Sequence, residues 1–141
     1  MIGPVPYQVL PNKTHLSEGE LNIWQRFVAK FPERFTTVCY DVELGTPRGF
    51  DPEMPLNYQK HHKYVGGYKI DVLGEKDGVK TIIEIKKQAT TKALGEIWLY
   101  EFLYTGTVDK EADVKVMILT DEEMPHMREV CESDDVELVM V

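Results

Sequence analysis

The chain reads as an α/β domain with a mixed central sheet flanked by helices, its elements running in the order αβββαβαβ. Three observations carry that reading. Leu16-Ser17-Glu18-Gly19-Glu20-Leu21 contains every part of a helix start, with Ser17 as N-cap, Glu20 as the reciprocal acid of a capping box, and Leu16 with Leu21 as a hydrophobic staple. Asp77-Gly78, the preferred two-residue hairpin dipeptide, separates two runs rich in β-branched residues. A strongly apolar helical stretch and a short apolar strand follow that hairpin, so strands alternate with helices in the second half. The chain has 141 residues. A chain of that size buries roughly two-thirds of its unfolded surface, enough for one core, so residues 1–141 are expected to form a single domain.

Taken in order, residues 1–15 carry three prolines in their first twelve positions and predict an extended arm. The first helix is expected from Ser17 to about Phe31, ending at Pro32 and burying Leu21, Trp24, Phe27 and Val28. Thr36 to Leu44 alternates, placing Val38, Tyr40, Val42 and Leu44 on one face and Cys39, Asp41 and Glu43 on the solvent side. Residues 45–67, rich in Pro, Gly and polar groups, predict a long loop, and long loops in compact domains tend to be functional. Tyr68 to Glu75 and Val79 to Lys87 read as the hairpin strands. Thr91 to Tyr104 is apolar on nearly every side, so this helix is expected to be covered by the sheet and by something else, with a homodimer interface as the functional alternative for Trp98 and its neighbours. Val114 to Leu119 predicts a buried strand, Asp121 the cap of a helix reaching about Cys131, and Val136 to Met140 a last strand.

Composition narrows the function classes. Ten glycines and eight prolines are ordinary usage, which excludes collagen-like and low-complexity chains. No stretch approaches the roughly 18 apolar residues of a membrane helix, and the start lacks the basic and apolar regions of a secretory signal, so a cytoplasmic setting is expected. Cys39 and Cys131 form no CxxC or Cys/His cluster, which fits reduced thiols rather than zinc or a disulfide framework. The net charge is −8, but it is unevenly spread. Tyr58 to Lys92 holds eight lysines against four acids, whereas Asp109 to Val141 holds eleven acids against three bases. A localised basic segment keeps nucleic acid open as a partner despite the acidic total.

The chemistry concentrates in the hairpin. With Asp77 and Gly78 in the turn, facing residues sum to 155, so Asp71 faces Glu84 and Lys69 faces Lys86. The two-residue period then puts Asp71, Glu84, Lys86 and Lys69 on one face and Ile70, Val72, Ile83 and Ile85 on the other. Opposed carboxylates about 5 Å apart repel. A divalent cation between them reverses that sign, and oxygen ligands are what Mg²⁺ prefers. The spacing alone equally fits a solvated ion-pair quartet on a sheet face.

Ile70-Asp71-Val72 and Ile82-Ile83-Glu84-Ile85-Lys86, with twelve residues between Asp71 and Glu84, resemble the D…ExK core of the PD-(D/E)XK nuclease superfamily, and Ala93-Leu94-Gly95-Glu96-Ile97-Trp98-Leu99-Tyr100 is similar to the helix that follows it in many members. The resemblance runs from about Ser17 to Leu119 and is nearest to small members carried by phages and prokaryotes. It implies a restriction-endonuclease-like core αβββαβ with a C-terminal αβ extension, and a metal-dependent DNA nuclease serving phage or mobile-element DNA processing. Asp71, Glu84 and Lys86 would be catalytic. Asp71, Glu84 and the backbone carbonyl of Ile85 would hold Mg²⁺, for which Mn²⁺ would substitute, and Lys86 would position water and stabilise developing charge. An acid from the first helix is a further ligand in such sites; Glu20 fits that place, although its capping-box position explains it equally well. Two positions depart from the pattern: Ile70 stands where a proline often precedes the aspartate, and Glu96 replaces a glutamine, where an acid would repel phosphate.

Tyr58-Gln59-Lys60-His61-His62-Lys63-Tyr64 interleaves bases and aromatics, a mixture suited to phosphates and unpaired bases, though it also fits a plain polar loop. Lys60, His61, Lys63, Lys69, Lys87 and Lys92 are the expected nucleic-acid contacts. The expected partner is DNA, with a second copy of the chain or another protein as alternative sources of binding surface. The competing functions are a catalytically silent nuclease fold used for binding or assembly, and an acidic scaffold that mimics DNA.

Overall fold

The structure, a computed structural model, describes residues 1–44, 53, 55–57 and 67–141, with the Thr107 side chain outside that set. Most of the 45–67 segment, including Lys60, His61 and Lys63, lies outside the described residues. The elements are β1 (Ile2–Pro6), α1 (Glu18–Lys30), β2 (Thr37–Leu44), β3 (Tyr68–Lys76), β4 (Val79–Lys86), α2 (Thr91–Leu103), β5 (Asp113–Thr120), α3 (Met127–Ser133) and β6 (Val136–Met140). A five-residue π-helical turn, Tyr104–Val108, extends α2. The six strands form one sheet in sequence order, antiparallel from β1 to β4 and parallel from β4 to β6.

The hairpin adopts the expected register, Lys76↔Val79, Gly74↔Thr81 and Val72↔Ile83. Asp77 and Gly78 both have positive φ, 52° and 79°, as the turn that matches strand twist requires. Ser17 accepts from the Glu20 amide at 3.2 Å while Glu20 Oε1 accepts from the Ser17 amide at 3.0 Å, closing the capping box of α1.

Two apolar clusters sandwich the sheet. On one face α1 buries Ile23, Trp24 and Phe27 against Val38, Tyr40, Val72, Ile83, Ile85, Met117 and Leu119. On the other, α2 and α3 bury Ala93, Leu94, Ile97, Tyr100, Met127 and Cys131 against Ile70, Leu73, Ile82, Val116 and Ile118. Among the described residues, no helix is long and apolar enough to cross a membrane. Both cysteines are free thiols.

Several expectations are corrected. The arm is in part a strand: β1 pairs antiparallel with β2. Ile23, not Leu21 or Val28, completes the buried stripe of α1, the latter two being only partly buried. Strand β2 does not present one face throughout, since Val38 and Tyr40 pack under α1 whereas Val42 and Leu44 join the opposite cluster, as does Ile70 across from them. The exchange falls where the ladder passes from Tyr40↔Val72 to Val42↔Ile70, stepping over the opposed Asp41 and Asp71, and Asp41 there has a left-handed φ of 54°. Asp and Asn tolerate that conformation better than other side chains. The apolar surround of α2 is covered on one side only: Trp98 is 46% and Phe102 74% exposed. Asp121 caps no helix; it pairs with Arg26 at 3.2 Å, and α3 begins only after His126.

Candidate active site

The break at Asp41 and Asp71 matters because it opens the sheet beside a cleft of about 420 Å³. Its lining comes from the loop before α1 (His15), the first turn of α1 (Glu20), β3 (Tyr68, Lys69, Asp71), β4 (Glu84, Lys86) and α2 (Glu96, Tyr100). The hairpin register therefore gathers Asp71, Glu84, Lys86 and Lys69, as the two-residue turn predicts. Asp71 is 4% and Glu84 3% exposed, which rules out a solvated quartet.

Each acid has a defined environment. Asp71 Oδ2 accepts the Ile85 amide at 2.8 Å, and Oδ1 contacts His15 Nε2 at 2.6 Å. Asp71 is thereby tied directly to the residue whose carbonyl the sequence resemblance assigns to a metal. Glu84 Oε1 lies 3.2 Å from Lys86 Nζ, while Glu84 Oε2 is buried and accepts from no donor. Lys86 Nζ also lies 3.0 Å from Glu96 Oε2, and Glu96 Oε1 lies 3.8 Å from Lys92. Glu20 keeps its cap and also borders the cleft.

Proton affinities report a site short of positive charge. Burial pushes Glu84 up to about 10, helped by the Asp71 charge. Burial also raises Asp71, against the lowering effect of His15 and the Ile85 amide. The bond to Asp71 raises His15 despite its partial burial. Burial works to lower Lys86, but the Glu84 charge and the bonds to Glu96 and Glu84 outweigh it and hold it up. Burial works to raise Glu96, and its bonds with Glu84 and Lys86 overcome that and lower it.

These residues fit a divalent cation. Two buried carboxylates facing one cleft, one with an oxygen lacking any donor, are a donor set a hard cation satisfies. Among the described residues no three His, Cys, Asp or Glu groups already form a metal cage. Asp71 is turned to His15 and Ile85, and Glu84 to Lys86. Mg²⁺ commonly binds through one or two carboxylates and retains waters, so a three-group cage is not a requirement.

Sequence reasoning missed His15 and Asp41. Asp41, expected in solvent, accepts from Thr14 Oγ1 at 2.8 Å and contacts His15 Nδ1, so His15 bridges the two aspartates. The signal was the β2–β3 register, in which Asp41 stands opposite Asp71; no tight turn joins those strands to reveal it. Lys87 faces elsewhere. Its stem crosses Gly19 so closely that a Cβ there would lie 2.0 Å from Lys87 Cε, and it lines a separate cleft with Asn22 and Asp121. Lys92 is exposed beside Glu96.

The sheet order, the helices on both faces and the acids at the broken ladder define a restriction-endonuclease-like fold. Solved structures agree. A repair endonuclease from Pyrococcus abyssi superposes with a TM-score of 0.55 at 16% identity, over 93% of this chain and 49% of that one. The EndoMS–dsDNA complex superposes with a TM-score of 0.50 at 13% identity, over 93% of this chain and 48% of that one. This chain therefore spans about half the length of each. No protein-family model and no curated protein sequence matches it.

Proposed function

We propose that the protein is a Mg²⁺-dependent nuclease that hydrolyses DNA phosphodiester bonds at the cleft between the β3–β4 hairpin and α2. The observation that carries this reading is the pair of buried carboxylates, Asp71 and Glu84, with Glu84 Oε2 unpaired beside the Lys86 ammonium. Asp71, Glu84 and the Ile85 carbonyl would hold the ion. When bound, Mg²⁺ supplies Lewis-acid charge at the phosphate and a water of lowered pKa. The Ile85 amide fixes the Asp71 carboxylate through a charge-assisted hydrogen bond. Lys86, anchored 3.0 Å from Glu96, places a fixed positive charge where negative charge develops on phosphate oxygens. The known neighbours support the reading: one bears the name repair endonuclease, and the other is a complex with double-stranded DNA. Lys69 at the cleft and Lys92 at its rim are suited to phosphate contacts, with Lys60, His61 and Lys63 as further candidates. A second copy or another protein would extend that surface.

The test is cleavage of single-stranded, duplex and branched DNA, and of RNA, with Mg²⁺, Mn²⁺ or EDTA, alongside Glu84→Ala and Lys86→Ala. Cleavage is expected only with metal, and each substitution should lower kcat by roughly 10²–10³-fold or more. Cleavage that survives both substitutions would overturn the site. A silent fold is the second reading, favoured by the engagement of both Asp71 oxygens and of Lys86 within the protein. It predicts no cleavage of any of the four substrates and no metal uptake in calorimetry.

A further inference from the structure

Glu96, expected from sequence to stand against phosphate, is turned instead onto two lysines. It lies in the second turn of α2, with Oε2 3.0 Å from Lys86 Nζ and Oε1 3.8 Å from Lys92 Nζ. The Lys92 contact is a weak surface pair, since that lysine is exposed. The Lys86 contact is partly buried and competes directly with Glu84, whose Oε1 is 3.2 Å from the same ammonium.

We infer that Glu96 is a positioning residue for Lys86: it shares the ammonium with Glu84 and, as a carboxylate acceptor with no hydrogen to donate, leaves the unpaired Glu84 Oε2 to a divalent cation. This rests on Asp71 and Glu84 being the cation-holding pair. A glutamine of nearly the same shape at position 96 behaves differently in both respects. Its carbonyl still accepts from Lys86 but carries no charge, so the ammonium leans on Glu84. Its NH₂ group can donate to Glu84 Oε2 and satisfy the atom that a cation would take. The carboxylate at 96 therefore divides labour within the cleft, anchoring the lysine from α2 while the acid on β4 turns to the metal. The exposed surface of Lys92 has no part in this.

The experiment compares wild type, Glu96→Gln, Glu96→Asp and Glu96→Ala by Mn²⁺ calorimetry and by steady-state cleavage of a labelled oligonucleotide, with thermal unfolding as a check on folding. Glu96→Gln is expected to weaken Mn²⁺ binding roughly 3- to 10-fold, through one lost charge near the ion. It should lower kcat by about tenfold or more while KM for DNA stays level or falls, because an acid near phosphate has been removed. Glu96→Asp should recover most of the Mn²⁺ affinity that Glu96→Ala loses. Wild-type Mn²⁺ affinity and kcat in Glu96→Gln would overturn the inference and leave the nuclease reading standing. Mn²⁺ binding that weakens in Glu96→Gln, in a protein that cleaves nothing, would sustain the inference and overturn the nuclease reading. A wild-type protein that neither binds Mn²⁺ nor cleaves would overturn both.

Discussion

His15, Asp71 and Glu84 all hold protons more tightly in the folded chain than their ordinary values allow. At these three groups the folded state binds more protons than the unfolded one, so their contribution to stability falls as pH rises. For Glu84 the window is wide, from its ordinary 4.5 to about 10, so the stabilising proton is fully effective below 4.5 and its benefit is lost progressively above that. The slope from one such group is at most about 1.4 kcal/mol per pH unit. Denaturant unfolding in EDTA should accordingly give a midpoint that declines from pH 5 to pH 8. Mg²⁺ or Mn²⁺ should flatten the decline, and Glu84→Gln should remove its largest part. Stability that rises over that interval in EDTA would show that the carboxyl pair is not buried as described. At this scale the sequence was unevenly informative. Asp71, Glu84 and Lys86 were legible because a two-residue turn fixes their register, whereas the bridge from His15 to Asp41 and Asp71 was not, because it joins residues 26 and 56 positions apart through tertiary packing.

At the scale of elements, the N-terminal segment explains how His15 is held. Tyr40 donates its hydroxyl hydrogen to the Val9 carbonyl at 2.9 Å and accepts from Trp24 Nε1 at 3.0 Å. Tyr7 donates to the Phe31 carbonyl at 2.8 Å, and its ring packs edge-on against Trp24 and Phe35. One tyrosine thus couples β2, α1 and the segment that carries His15. Tyr40→Phe leaves the buried Trp24 N–H without an acceptor, which costs about 1–3 kcal/mol. The loss should appear in denaturant unfolding together with faster amide exchange around Val9; unchanged stability would mean the segment is fixed by β1 pairing alone. The helix starts were legible where the cap is local, as at Ser17, and illegible where it is not. Asp121 looks like a cap in sequence, but Arg26 takes its carboxylate. The α2 pattern likewise cannot say which apolar residues the fold leaves outside, since Trp98 and Ile97 differ in burial and not in chemistry.

For the whole molecule, the −8 total conceals an arrangement that matches the fold. The acidic last third, from Asp109 onward, builds β5, α3 and β6 at one side of the sheet, while Lys69 and Lys86 of the middle third line the cleft and Lys92 stands beside Glu96. Of the described lysines there, Lys86 is held by two acids, Lys76 and Lys80 are engaged by Glu33 and by Tyr104 with Asp109, and Lys87 lines a separate cleft, leaving Lys69 and Lys92 to meet phosphate. Lys60 and Lys63 would raise that number to four at most. Each neutralised phosphate contributes about −0.9 to the slope of log affinity against log salt. The Glu84→Gln variant binding duplex DNA with Mg²⁺ present should therefore show a slope between about −2 and −3.6 by fluorescence anisotropy. Lys60→Ala with Lys63→Ala should reduce it by nearly 2, and Lys110→Ala, in the acidic third, should leave it unchanged. A slope near −8 would require more basic surface than this chain presents around the cleft, and would place most of the DNA contact on a second copy or a partner.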